Sequence, residues 1–121
     1  MLSWLRKRRA ESRRRLEIRE LSWNGYDEAA PGEETRFQAE VIAALKRDPG
    51  VRELEFVRGT AESYFRGYLN TGSEFYIYSG EAELDTINFE RWDYDSREDL
   101  MAAFLSEAVK AKSNITMEAD T

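Results

Sequence analysis

The sequence contains neither cysteine nor histidine. A disulfide, a thiol nucleophile, a Cys/His zinc site and a histidine general base are therefore all excluded. Chemistry in this chain is confined to carboxylates, hydroxyls, lysine or a carboxylate-bound metal. No Walker loop, dinucleotide fingerprint or paired-lysine site occurs. These absences point away from an enzyme and imply no cofactor. No apolar run approaches the ~18 residues of a membrane span, and the N-terminus lacks the apolar centre of a secretory signal, so the expected location is the cytoplasm.

What is present is a strongly charged but patterned chain. Of 121 residues, 35% are charged, against a usual share of about a quarter, yet 41% are hydrophobic, enough for one folded domain with a single core. The net charge of −6 conceals a division. Residues 1–20 carry eight Lys/Arg against three acids, a net +5, which leaves −11 on the remainder. A basic segment precedes an acidic body.

Read in order, the chain divides into a basic helix or arm at 1–15, one α+β domain at 16–112, and a polar tail at 113–121. In LEIRELSW (16–23), Leu16 and Ile18 alternate while Ile18 and Leu21 have helical spacing; Asn24-Gly25 at its end favours a short strand. Phe37, Val41, Ala44 and Leu45 recur at helical spacing, predicting a helix over Glu33–Arg47. Glu33 and Glu34 suit its positive end, and Asp48-Pro49-Gly50 stops it. Val51–Val57 alternates as a strand. In 63–69, Phe65, Gly67 and Leu69 share one face, and Phe75 and Ile77 alternate with Tyr76 and Tyr78. Ala82, Leu84, Ile87 and Phe89 form a returning apolar set whose step from 84 to 87 breaks period two; a bulge or wide bend near Asp85-Thr86 would restore the face. Ser96 then caps a helix over Arg97–Lys110, with Asp99 three residues on and Leu100, Met101, Phe104, Leu105 and Ala108 as its apolar stripe. The expected architecture is a two-layer α+β domain: an antiparallel sheet of four to five strands with two helices on one face, plus the basic N-terminal helix.

Trp23-Asn24-Gly25 and the Tyr94-to-Glu98 spacing match the W-x-G and Y-x-x-x-E of small secreted helical-hairpin proteins of type VII systems. The alternation across residues 51–92 excludes that all-helical fold.

Three sets of residues are candidates for function. Tyr64, Tyr68, Tyr76 and Tyr78 fall on the sheet face opposite the core, interleaved with glutamates, and Trp92 follows the last strand. Tyrosine suits interfaces because it combines a large ring with a hydroxyl. An acidic aromatic face repels nucleic acid and favours a basic protein partner, as in an accessory subunit or a small inhibitor of the immunity-protein kind, with a homo-oligomer as the other expected assembly. The alternative to such a face as ligand site is cross-strand pairing on an ordinary solvated sheet. The basic segment, with Arg6, Lys7, Arg8, Arg9, Arg13, Arg14 and Arg15, offers attachment to nucleic acid or an anionic membrane, confined to residues 1–20. Asp93, Asp95 and Glu98 are candidates for a carboxylate-bound metal and hence a metal-dependent enzyme; turn formation and capping explain acids there as well.

Overall fold

The computed structural model describes residues 13, 14, 17 and 19–119, with side chains as far as Lys110. Residues 19–23 are helical (α1), followed by α2 (Arg36–Arg47), β1 (Val51–Val57), β2 (Tyr64–Leu69), β3 (Glu74–Ile77), β4 (Ala82–Leu84), β5 (Ile87–Phe89), a 3₁₀ turn at Arg91–Asp93 and α3 (Arg97–Ala119). The five strands pair in chain order as an antiparallel meander. The α+β class and the two-layer arrangement follow the sequence pattern.

Period two sets which side chains meet the helices. Phe65, Leu69, Phe75, Ile77, Ala82, Leu84 and Phe89 are buried on the inner face. Against them α2 packs Phe37, Val41 and Leu45, and α3 packs Leu100, Phe104 and Ala108. Phe89 and Phe104 meet edge to face, with centroids 5.3 Å apart. Each large side chain removed from water contributes about 1.5–3 kcal/mol, so this one cluster dominates the folding free energy. Gly67 sits where β2 is crowded from both sides: a Cβ there would lie 2.0 Å from the Glu53 carbonyl oxygen and 3.0 Å from Phe75 Cζ.

Four expectations need correction. Residues 17 and 19–23 are helical rather than a strand. Trp23 decides this, because the helix delivers its ring, 2% exposed, onto Phe37 at 5.2 Å. Asn24-Gly25 ends that helix: Asn24 N–H bonds the Leu21 carbonyl, and Gly25 takes φ +76°. Second, α2 begins at Arg36, not Glu33, because Thr35 and Gln38 form a reciprocal capping box. Third, Asp85-Thr86 is a two-residue hairpin turn, not a bulge: Leu84 pairs with Ile87, and Asp85 adopts φ 52°. Ile87, at the end of that hairpin, is 43% exposed instead of buried in the core. Fourth, α3 runs on to Ala119 instead of ending at Lys110, since no Gly or Pro interrupts 97–119. Among residues 1–15, Arg13 and Arg14 are helical and exposed. Arg6, Lys7, Arg8, Arg9 and Arg15 lie outside the described residues.

Gln38 is fully buried and fully bonded. Its Oε1 accepts from Thr35 N–H at 2.8 Å, and its Nε2 donates to the Ser63 carbonyl at 2.8 Å and the Ile77 carbonyl at 3.2 Å. One amide thereby ties the start of α2 to the loop before β2 and to the end of β3. Those are the segments that carry Tyr64, Tyr76 and Tyr78.

Candidate functional site

The sheet face turned away from α2 and α3 collects the side chains that alternation points away from those helices. Register aligns Glu55, Arg66, Tyr76, Glu83 and Asn88 in one row across all five strands. In a neighbouring row Glu53 opposes Tyr68, which opposes Glu74. The register shift between Val51 and Glu53 brings Arg52 to the same place, its guanidinium 5.4 Å over the Tyr68 ring.

Tyr64, Tyr76 and Tyr78 pack together. Tyr76 and Tyr78 stack at 6.2 Å with 10° between ring planes, and Tyr64 closes the group at 5.6 Å from Tyr78 and 6.3 Å from Tyr76. All three remain half-buried with one side to solvent. Tyr68 shares their face but lies beside Arg52 and outside this group. Trp92 belongs elsewhere. It occupies the 3₁₀ turn, is 59% exposed, accepts a hydrogen bond from Arg19 through its carbonyl at 3.4 Å, and makes no ring contact with the tyrosines among the described residues.

Carboxylates surround the rings and tune them. Tyr76 Oη donates to Glu74 Oε1 at 2.5 Å. That bond and the adjacent negative charge push the phenol up to about 12. Burial raises Tyr78, helped by Glu83. Burial likewise raises the Glu81 carboxyl, with Glu90 and Glu62 adding like charge. Glu62 Oε1 accepts from Ser79 N–H at 2.9 Å and Ser79 Oγ at 2.6 Å, anchoring the turn after Tyr78. Arg66 is held by Glu55 at 2.7 Å, and that partner raises the guanidinium further. A shallow depression on this face is lined by Glu53, Glu55 and Glu74 against a single cation, Arg66. Phenol rings with carboxylates alongside form a surface that pairs with guanidinium and ammonium groups through ion pairing and cation–π contact.

The remaining candidates are not brought together. Asp95 lies 3.6 Å from Arg19, while Glu98 accepts from Ser22 Oγ at 2.9 Å and from Arg97 at 2.6 Å. The bond to its own backbone N–H, then those from Ser22 and Arg97, lowers the Glu98 carboxyl. It is a strut between α1 and α3, reinforced by Arg97 N–H donating to Ser22 Oγ at 2.7 Å. No group of three or more acids is arranged to hold a metal ion among the described residues. Likewise among the described residues, no helix is long and apolar enough to cross a membrane.

Sequence reasoning missed the arginines that lock the back of the molecule. Arg97 stacks 3.5 Å over Tyr26 and bonds Glu40 at 2.6 Å, and Arg91 lies 4.3 Å over Trp23 while pairing with Asp27. Their partners are distant in sequence, so no local pattern announced them. Comparison with protein-family models, curated proteins and solved structures gives no match, so the geometry of this face is the ground for a functional reading.

Proposed function

We propose that the protein is a non-catalytic interaction module of the cytoplasm that binds a basic protein partner through the Tyr64–Tyr76–Tyr78 face, in the manner of an accessory subunit or small inhibitor. The observation that carries this reading is the packing of three tyrosines into one half-buried group, ringed by carboxylates, on the face that no helix covers among the described residues. Such a face supplies aromatic anchors at its centre and charge for steering around them. Affinity capture from native lysate, with mass spectrometry of the captured proteins, tests it. A basic partner retained by the wild type, and lost at high salt and in the Tyr76→Ala/Tyr78→Ala variant, supports the reading. An unchanged set of proteins in the variant, or none in either, refutes it.

A second reading rests on Arg13 and Arg14, helical and exposed within a segment of net +5. It is attachment to nucleic acid or an anionic membrane through residues 1–20. Salt-sensitive binding abolished by deleting residues 1–15 supports it, and binding that survives the deletion removes it.

A further inference from the structure

The sheet ends at β1, which pairs with β2 on one side and with no strand on the other among the described residues. Leu69 N–H bonds the Ser73 carbonyl on the β3 side, and Asn70 N–H bonds the Gly50 carbonyl on the β1 side. Backbone groups alternate along a strand, so Tyr64, Arg66 and Tyr68 face β1. Their partners Val57, Glu55 and Glu53 are then consumed by β2, leaving the N–H and C=O of Leu54 and Phe56 on the open side. Four consecutive residues, Arg52 to Glu55, are exposed, so among the described residues neither face of the strand is covered there. Leu54 is 36% exposed although it points to the apolar face, opposite Gly67, which has no side chain to cover it. Glu53, on the other face, has no ion-pair partner among the described residues.

We infer that this edge accepts an extended segment of a basic partner as a sixth strand, one whose residues alternate between basic and apolar. The alternation is dictated by the strand itself. Side chains entering on the outer face meet the carboxylate of Glu53 and then that of Glu55, which Arg66 already pairs, whereas those beside Leu54 and Phe56 meet an apolar margin. The main chain bonds the open N–H and C=O groups, as in strand addition generally. This inference rests on the acidic-face reading and specifies how the partner approaches it.

The test uses the full chain and three blocked peptides of seven residues, the length of β1. One alternates lysine and valine, one has that composition with the lysines grouped, and one is the alternating peptide N-methylated on one backbone edge. Binding of the alternating peptide, weakened by salt, with new exchange protection at the Leu54 and Phe56 amides, is the expected result. N-methylation should weaken binding by about tenfold or more, since main-chain bonds carry it. Leu54→Pro, which removes a donor from the open edge but not from the β2 ladder, should do the same; should that variant not fold, the N-methylated peptide still decides. Equal binding of alternating and grouped peptides, with protection confined to the tyrosine strands, overturns strand addition and leaves the acidic face as a binding surface. Protection of Leu54 and Phe56 in the protein alone, through self-association, overturns the proposed occupant. No binding of any peptide at low salt overturns both.

Discussion

Replacing Gln38 by leucine keeps the volume of the side chain and removes all of its hydrogen bonds. Thr35 N–H, buried with its residue 4% exposed, loses its acceptor, and the Ser63 and Ile77 carbonyls lose a donor. An orphaned buried donor costs ~1–3 kcal/mol. The two carbonyls cost less, because Ser63 is half-buried and the Ile77 bond is the longer, and leucine recovers part of the sum by its own burial. The expected net loss is about 3 kcal/mol, the penalties at Thr35 and the two carbonyls less what leucine recovers. For a chain of this length the unfolding entropy is about 0.25 kcal/mol per kelvin, so Tm should fall by about 12 °C in calorimetry or thermal circular dichroism. Thr35→Ala, which removes only the hydroxyl cap on Gln38 N–H and the bond to the Ser79 carbonyl, should cost about 1 kcal/mol. A Gln38→Leu protein as stable as wild type would refute the reasoning, since it would mean that the buried amide does not hold α2 to the sheet.

Three further outcomes follow from the outer face and its hairpins. Tyr76 titrates near 12 when folded and near the ordinary 10 when unfolded, so the unfolded chain releases this proton first and stability falls as pH rises from 10 towards 12. Glu74→Gln should move the phenol midpoint down towards 10 in an ultraviolet tyrosinate titration and shrink that alkaline loss. Gly67→Ala should destabilise by about 2 kcal/mol in urea, because its methyl meets the Glu53 carbonyl and the backbone of β1 must retreat. Asp85→Ala should cost about 1–2 kcal/mol, combining left-handed strain at φ 52° with loss of the Oδ1 acceptor for Glu74 N–H; Asp85→Gly, which relieves the strain alone, should cost less.

Much of the sheet was legible because period two is a local signal. Phe65, Gly67 and Leu69, or Phe75 and Ile77, have only one way to share a buried face, and that placement sends Tyr64, Tyr76 and Tyr78 to the other. The contacts among those rings were not legible, since they depend on register, which the lengths of the hairpin loops set. Ser96 advertised the start of α3, and its hydroxyl indeed accepts from Asp99 N–H at 3.2 Å. Thr35-x-x-Gln38 was equally visible as a pattern but was masked by the acidic pair Glu33-Glu34 just before it. Residues 16–23 carried both periodicities, and the distant contact of Trp23 with Phe37 and Arg91 goes with the helix seen at 17 and 19–23. The step from Leu84 to Ile87 is ambiguous in principle: a bulge and a two-residue turn insert the same irregularity, and Asp85 at positive φ resolves it. The surroundings of Trp92 were not legible, because composition gives a ring but not its neighbours; it sits in the 3₁₀ turn, without ring contact to the tyrosines among the described residues.

Tyrosine-selective footprinting by iodination, read by mass spectrometry, addresses the binding face most directly. The purified protein and the same protein held in native lysate are labelled side by side, and each tyrosine is compared with itself, which cancels differences in phenol acidity. Tyr64, Tyr76 and Tyr78 should lose reactivity in lysate and regain it in high salt, while Tyr94, packed against the core on the helix side, should not change. Equal labelling of the three outer tyrosines in both conditions, or protection only at Tyr94, would contradict the assignment of this face as the partner surface.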